Sequence, residues 1–228
     1  YSSARAKEVR IVERGVADAI GAGIDIKQET GAAIVNIGGE TTDISVLSRG
    51  GIVLNRLLKT GGASIDRAII TLVRRHLDFV IGRLTAEAVR IQSSVFGEEQ
   101  GHAVMAAGRD LVRSRPGIKE IPDYIVRTAV KEFLKPCGEA VSLMLEQAPP
   151  DVLAAIRKRG ICLTGGIACT KGLDRYMEEK TGIPFYTVKE PHLSAIRGVR
   201  DILLSDDLKD LASVSYTHLR AHETLSDG

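Results

Sequence analysis

The chain has 228 residues, of which 44% are hydrophobic and 26% charged, and its formal net charge at pH 7 is +2. This composition is that of a folded globular protein, and it argues against an intrinsically disordered chain. The small net charge, with acids and bases interspersed, argues against nucleic acid as a partner. Three cysteines, Cys137, Cys162 and Cys169, lack metal-ligand spacing and are predicted to be free thiols, two of them buried.

Strands and helices are predicted to alternate along the chain, which indicates an α/β fold with a covered sheet. Ser64 and Thr85 are predicted to cap the helices that follow them. Ile91, Met105 and Met144 are predicted to face the core. After a passage from strand to helix over residues 9–23, the predicted strands are 32–37, 43–47, 51–58, 102–109, 118–121, 161–164 and 185–188; the predicted helices are 65–76, 86–91, one starting at 122 that Pro136 interrupts or ends, 141–145, 152–158, 172–180 and 193–204.

A glycine turn joins the first two strong strands. Gly38 and Gly39 lack a Cβ, so their backbone N–H groups can approach an anion, and Thr41 and Thr42 offer hydroxyls to phosphate or to metal-bound water. A glycine pair between strands is more often only a tight turn. From this stretch alone, both interpretations stay open.

A second glycine turn follows the strand 161–164, where Thr164, Gly165 and Gly166 precede a short helical segment. It repeats the order of the first turn: a short apolar strand and then a pair of glycines. Two such turns indicate two halves of a protein that face one ligand.

Further motifs stand in a matching order: residues 19–23, 50–53, 61–66, 81–87, 108–112 and 172–173. With both glycine turns, they make the sequence from about residue 9 to 202 resemble the actin-like ATPases, and among these the bacterial cell-shape proteins. The resemblance implies an α/β fold of the actin-like, ribonuclease H-like type. We expect residues 1–30 to be a remnant of a first lobe, and 31–213 to be a second lobe with a small subdomain inserted at about 82–125. Residues 214–228 resemble translated sequencing-adapter DNA, and the chain is expected to be a fragment lacking the N-terminal subdomain and its first phosphate loop.

The resemblance also implies where a nucleotide binds. Glu87 and Arg90 correspond to adenosine contacts on a helix, with Arg90 at a position that usually holds Lys. Without the resemblance, a Glu and an Arg three residues apart are more often a surface ion pair. The turn under the base and the α-phosphate corresponds to Gly165, Gly166, Ile167 and Ala168, with Ile167 in place of a third glycine.

The phosphate side departs from the pattern of the resembled proteins. Asn36 stands where an Asp orients water around Mg²⁺, so it brings no negative charge and metal should be held weakly through water. Glu40 replaces the third glycine, and its carboxylate either repels phosphate or points to solvent. Ungapped matching puts Arg14 at the position of the water-polarising Glu, whereas a shift of one residue would restore Glu13. Since arginine stays protonated, the sequence leaves open whether ATP is hydrolysed.

We therefore expect an actin-like protein that binds ATP and Mg²⁺, polymerises with itself and controls rod cell shape by guiding cell-wall synthesis. Alternatives on the same fold are a heat-shock-type ATPase chaperone and a small-molecule kinase. The resemblance implies membrane proteins of cell-wall elongation as partners, and membrane contact through the missing N-terminal region. No apolar run long enough to span a bilayer and no signal peptide are recognisable, so a cytoplasmic location is expected, with filaments at the membrane.

Overall fold

The computed structural model describes residues 9–93, 95–96 and 103–214. Its central sheet has five strands in the order β4-β3-β2-β8-β9, in which β2 pairs antiparallel with β3 and parallel with β8. The predicted α/β class is confirmed. The elements are β1 (Arg10–Ile11), α1 (Arg14–Gly21), β2 (Ala32–Ile37), β3 (Thr42–Ser48), β4 (Gly51–Leu58), α2 (Gly62–Leu77), β5 (Phe79–Val80), α3 (Arg83–Gln92), β6 (Val104–Asp110), β7 (Arg115–Ile121), α4 (Asp123–Gln147), α5 (Pro150–Arg159), β8 (Ile161–Thr164), α6 (Leu173–Thr181), β9 (Phe185–Thr187), α7 (Ser194–Leu204) and β10 (Ser213–Val214), with 3-10 turns at Gly166–Cys169, Pro191–Leu193 and Asp206–Leu211.

Strand β2 is the middle strand of the central sheet, and all six of its residues are buried. Side chains alternate across a strand. Val35 and Ile37 therefore pack into the larger core with α2, α4 and α5, whereas Ile34 packs into a second core with α1. Each fully buried aliphatic side chain of this kind stabilises the fold by about 1.5 to 3 kcal/mol.

Helices α1 and α7 cross at very short range. A Cβ at Gly198 would lie 1.8 Å from the carbonyl oxygen of Ala17, and one at Gly21 would lie 1.8 Å from that of Ser194. Only glycine at both positions allows the two backbones to approach this closely.

A second sheet, β5-β6-β7, follows α2 in the chain and packs with α3. It spans residues 79–121, close to the predicted insertion at 82–125. That this part forms a subdomain of its own stays a prediction. Residues 215–228 of the predicted adapter-like tail lie outside the described residues, while Val214 pairs with Arg10.

Helix starts differ from the sequence prediction. Gly61 and Gly82, and not Ser64 and Thr85, precede the first turns of α2 and α3. In α2 the reason is tertiary. The free N–H groups of Gly62 and Ala63 donate to the carbonyls of the first glycine turn, so α2 begins before its hydroxyl residue.

Three other predictions are wrong or incomplete. Pro136 neither ends nor interrupts α4, whose 25 residues run through it, because buried neighbours such as Leu134 and Val141 keep this segment in the core. Ile91, on α3, and Met105, on β6, are 69% and 64% exposed, so neither packs in the core. Met144 is buried as predicted.

Candidate functional site: a cleft between two glycine turns

The two glycine turns leave the central sheet at the same edge. Strands β2 and β8 run parallel, with Asn36 in register with Thr164, and each strand leads directly into its turn. Ligand sites of open α/β sheets lie at such carboxyl ends. The topology therefore brings together two motifs that are more than a hundred residues apart in the sequence.

The first turn is held from below by α2. The N–H of Gly62 donates to the carbonyl of Gly38 at 2.9 Å, and the N–H of Ala63 donates to that of Gly39 at 2.7 Å. Gly61 fits here only without a side chain, because its Cβ would lie 2.6 Å from the oxygen of Gly38. Gly39 itself faces open space.

The two threonines of this turn differ. Thr42 is fully buried, and its hydroxyl donates to the carbonyl of Thr60 at 2.9 Å, so it is not available to phosphate. Thr41 is partly exposed and remains beside the turn. Of the two hydroxyl groups predicted to contact phosphate or metal-bound water, that of Thr41 stays available.

The second turn depends on Gly165. Its φ of +86° favours glycine, and a Cβ would lie 2.4 Å from the carbonyl oxygen of Ile37, at the end of β2. Its N–H donates to the carbonyl of Pro191 at 2.9 Å. Gly166 is exposed, whereas Ile167 and Ala168 are buried beneath it. The turn is thus fixed to the sheet and exposes backbone at its tip.

A cleft of about 330 Å³ lies between the turns and α3, and a neighbouring cavity of about 240 Å³ shares Arg90, Ile91 and Gly166 with it. A larger cavity of about 830 Å³ lies along α4 and α6, but none of the predicted site residues lines it. The 330 Å³ cleft brings together six predicted residues, Gly38, Gly39, Glu87, Arg90, Gly166 and Ile167, with five others, Gly62, Ala63, Asp66, Arg83 and Ile91.

On the wall formed by α3, Arg90 is not a free surface cation. Its Nε donates to Oδ1 of Asp66 at 2.7 Å, and the two side chains are only 9% and 4% exposed. Glu87 lies 3.7 Å from Arg90 and is 45% exposed. Arg90 thus fastens α3 to α2, while Glu87 presents a carboxylate to the cleft.

Glu40 and Arg83 face each other across the mouth of the cleft. Their charged atoms are 3.8 Å apart, and the side chains are 66% and 69% exposed. An ion pair this exposed contributes about 0 to 1 kcal/mol. Glu40 is thus exposed and paired with a cation, and whether its carboxylate repels phosphate stays a prediction.

Helix α1 brings a third group of residues to the other side of the first turn. Glu13 is the exposed N-cap residue of α1, and it makes no side-chain capping bond. Nη1 of Arg14 lies 3.3 Å from the hydroxyl of Thr41. Arg14 is therefore the residue that contacts the turn.

Beneath the same turn, the Nδ2 of Asn36 donates to Oδ2 of Asp18 at 2.8 Å. Asp18 is fully buried, and burial raises its pKa to about 6; the Asn36 amide, the Thr164 hydroxyl and the Arg14 charge oppose that rise, whereas the Asp43 charge adds to it. Although it lies close enough to act on Asp18, the Thr164 hydroxyl makes no hydrogen bond of ordinary geometry within the described part of the chain.

Sequence reasoning missed Asp18, Asp66 and Arg83. A signal was present for two of them. Asp18 interrupts the apolar run 16–20, and Asp66 shares a helix face with Ile69 and Val73. An acid on a buried helix face indicates a polar partner elsewhere in the fold.

Three further findings concern the cysteines, metal binding and the helices. Cys137, Cys162 and Cys169 are free, and burial raises the pKa of the first two to about 12. Within residues 9–93, 95–96 and 103–214, no group of three or more His, Cys, Asp or Glu side chains could hold a metal ion. None of the helices described there is long and apolar enough to cross a membrane.

Comparison with known proteins agrees with this architecture. The family described as MreB/Mbl protein matches residues 1–210. Cell shape-determining protein MreB of Escherichia coli strain K12 is 36% identical over 196 residues, which are 86% of this chain and 56% of that protein. The chain thus spans little more than half the length of this curated relative.

Solved structures give the same fold. MreB5 of Spiroplasma citri bound to AMPPNP matches with a TM-score of 0.80 and 27% identity, over 87% of this chain and 60% of that one. A MamK double helical filament matches with a TM-score of 0.70 and 22% identity, over 85% and 59% of the two chains. The predicted actin-like ATPase fold is confirmed.

Proposed function

Because the chain belongs to the MreB/Mbl family, we propose that it is an actin-like, ATP-binding cytoskeletal protein that polymerises to control rod cell shape by guiding cell-wall synthesis. The observation that carries the proposal is the cleft between the two glycine turns, with exposed backbone at Gly39 and Gly166. Residues 31–213 form its second lobe in this proposal.

The adenosine end of the nucleotide lies between α3 and the second turn. Glu87 accepts hydrogen bonds from the ribose there, and Gly165 to Ala168 form the floor under the base. Arg90 acts mainly by holding α3 in place, since its Nε already donates to Asp66. The S. citri relative bound to AMPPNP supports a nucleotide as the ligand.

Phosphates occupy the first turn in this proposal, against Gly38, Gly39 and Thr41. Backbone N–H groups and a hydroxyl suit phosphate oxygens. Glu40 lies beside this position with its charge partly offset by Arg83, 3.8 Å away. The turn therefore accepts an anion at some electrostatic cost.

Mg²⁺ fits this site only through water and phosphate. The Oδ1 of Asn36, a neutral amide oxygen, lies 3.6 Å from the place where a Cβ on Gly38 would stand. Mg²⁺ usually keeps several waters and binds through substrate phosphates with one or two carboxylates. Asn36 would hold Mg²⁺ through water, and the bound ion would neutralise phosphate charge.

Hydrolysis is slow in this proposal. Arg14, which lies 3.3 Å from Thr41, cannot take a proton from water because it stays protonated. It instead stabilises phosphate charge and favours the bound nucleotide. Absence of a catalytic base typically slows a reaction by about 10² to 10⁴-fold.

Membership of the family supports a proposal on self-association, partners and location. We propose homopolymer filaments in the cytoplasm, attached to the membrane and to membrane proteins of cell-wall elongation. The name of the E. coli relative and its membership of the same family support the role in cell shape.

The test is to titrate the purified protein with ATP and Mg²⁺ and to follow sedimentation of polymers in the same samples. Nucleotide binding with nucleotide-dependent sedimentation supports the proposal. Binding without polymers, with turnover stimulated by unfolded peptide, would favour the chaperone, and phosphorylation of a sugar would favour the kinase. No binding would overturn the nucleotide assignment.

A further inference from the structure

Asp18 is a buried acid for which the fold gives no obvious structural reason. Its neighbours in α1, Ala17 and Ala19, are small, apolar and buried. Its Oδ1 makes no hydrogen bond to any described residue, and such an unpaired buried atom costs about 1 to 3 kcal/mol. An alanine at position 18 would avoid this cost, so the carboxylate calls for another explanation.

Among the described residues, the carboxylate accepts one hydrogen bond, from Asn36, and this bond fixes which way the Asn36 amide points. Asn36 has one nitrogen and one oxygen at its tip, and the nitrogen donates to Asp18 at 2.8 Å. The oxygen therefore points elsewhere. It lies 3.6 Å from the place where a Cβ on Gly38 would stand, so it faces the first glycine turn.

The negative charge of Asp18 determines which end of the Asn36 amide faces it. An ionised carboxylate only accepts hydrogen bonds, so it rejects the amide oxygen and selects the nitrogen. A neutral residue at position 18 would let the Asn36 amide flip, and its NH2 group would then face the Mg²⁺ that accompanies the nucleotide phosphates. Arg14 and Asp43 are the charged groups that act on Asp18, and Thr164 and Cys162 are its other polar neighbours.

We propose that Asp18 is a positioning residue whose hydrogen bond with Asn36 holds the Asn36 oxygen toward the glycine turn. On the far side of Asn36 from the turn, its carboxylate also supplies the negative charge that Asn36 lacks. The inference rests on the proposed nucleotide site. In this inference, Asp18 and Asn36 together would bind the hydrated Mg²⁺ that accompanies the nucleotide phosphates. A carboxylate at position 36 would then be harmful while Asp18 is present, because two carboxylates in contact cannot both ionise.

The experiment exchanges the two groups. Asp18→Asn removes the charge with almost no change of shape, Asn36→Asp places a second carboxylate against the first, and the double variant Asp18→Asn with Asn36→Asp swaps carboxylate and amide. Asp151→Asn, at an exposed position on α5, is the matched control for loss of one acidic charge. For each protein, ATP affinity is measured with Mg²⁺ and with EDTA.

We expect Mg²⁺ to strengthen ATP binding by the natural protein and by Asp151→Asn. Asp18→Asn should lose about tenfold of this Mg²⁺ effect, and the swap should restore it. Asn36→Asp alone should be no better than the natural protein. An unchanged Mg²⁺ effect in Asp18→Asn would overturn the proposal.

A second readout does not need the nucleotide. In the natural protein, the Asn36 side-chain N–H group should show its hydrogen bond to the Asp18 carboxylate in NMR spectra, as a displaced chemical shift and slowed exchange with solvent, and both signs should weaken in Asp18→Asn. If the protein binds no ATP but this hydrogen bond is seen, the proposed nucleotide site fails while the positioning contact stands. Equal Asn36 signals in the natural protein and in Asp18→Asn overturn the positioning role in either case.

Discussion

The Nε of Arg90 lies 2.7 Å from Oδ1 of Asp66, and this ion pair joins α3 to α2 in the wall of the cleft. Both side chains are nearly buried. The pair fixes the helix that carries Glu87. The wall of the cleft formed by α3 is therefore tied to α2, which packs in the larger core.

Breaking this pair should destabilise the protein strongly. Asp66→Ala leaves the nearly buried Arg90 cation with only the half-exposed Glu87, 3.7 Å away, as an ion-pair partner, which we expect to cost about 3 kcal/mol of unfolding free energy in urea denaturation. Replacing both residues, Asp66→Leu with Arg90→Met, should recover most of that loss. A loss below about 1 kcal/mol in Asp66→Ala would mean that Arg90 reaches solvent and does not hold α3.

The crossing of α1 and α7 should not tolerate a methyl group. In Gly198→Ala the new Cβ would lie 1.8 Å from the carbonyl oxygen of Ala17, and backbone there cannot move without separating the helices. We expect a destabilisation of about 1 to 3 kcal/mol or more, measured by thermal unfolding. Gly51→Ala is the control, because its Cβ meets no atom within 4 Å. Equal melting temperatures for the two variants would contradict the close crossing.

Stability should depend on pH through Asp18. Its pKa is raised from 3.8 to about 6 in the folded protein. Between about pH 4 and pH 6 the folded protein therefore keeps a proton that the unfolded chain has released, and stability falls as pH rises through this window. The fall amounts to about 3 kcal/mol.

Urea denaturation at a series of pH values measures this slope, and Asp18→Asn should lose the Asp18 share of it. Below about pH 4 the two proteins should come closest in stability, and above pH 6 the variant should gain relative to the natural protein. Parallel curves over the whole range would show that Asp18 keeps its ordinary pKa.

Removing the charge of Glu40 should help an anion to bind. Glu40→Gln removes a carboxylate next to the phosphate turn at the cost of an exposed ion pair with Arg83, so the unfolding free energy should change by less than about 1 kcal/mol. ATP affinity should rise about fivefold, the effect of about 1 kcal/mol of charge repulsion. Glu178→Gln, exposed on α6, should leave affinity unchanged. Weaker binding by Glu40→Gln would show that this carboxylate helps to hold the ligand.

Arg14 should limit hydrolysis. Arg14→Glu puts a carboxylate beside Thr41 and should raise single-turnover phosphate release by up to about 10²-fold. Adding Asn36→Asp should not help further, because Asp18 already occupies the hydrogen-bonding position behind residue 36. Unchanged phosphate release in Arg14→Glu would mean that this position has no part in positioning water.

Much of the fold could be predicted because its signals are local. Strands β2, β3 and β4 are apolar or alternating runs bounded by glycines, and both glycine turns lie where their residues indicated. The contacts that define the site join distant elements. Asp18 meets Asn36 across α1 and β2, and Asp66 meets Arg90 across α2 and α3. Periodicity along one element cannot show which partner a buried acid finds in another.

The helix starts show the same limit. Ser64 satisfies the local rule for an N-cap, yet Gly61 takes that place because the carbonyls of Gly38 and Gly39 accept the first N–H groups of α2. Ile91 is apolar but exposed on α3 beside the cleft. In both cases the outcome depends on neighbours in the fold that the local sequence does not show.

The most direct test of the central claim is one titration of the purified protein with ATP, with and without Mg²⁺, followed by single-turnover phosphate release. The cleft between the glycine turns predicts Mg²⁺-dependent ATP binding. The presence of arginine, and not glutamate, at position 14 predicts slow or absent phosphate release. Brisk release would contradict the role given to Arg14 and would assign a catalytic role to Glu13 or Glu40. No binding would contradict the nucleotide site and leave the actin-like fold alone.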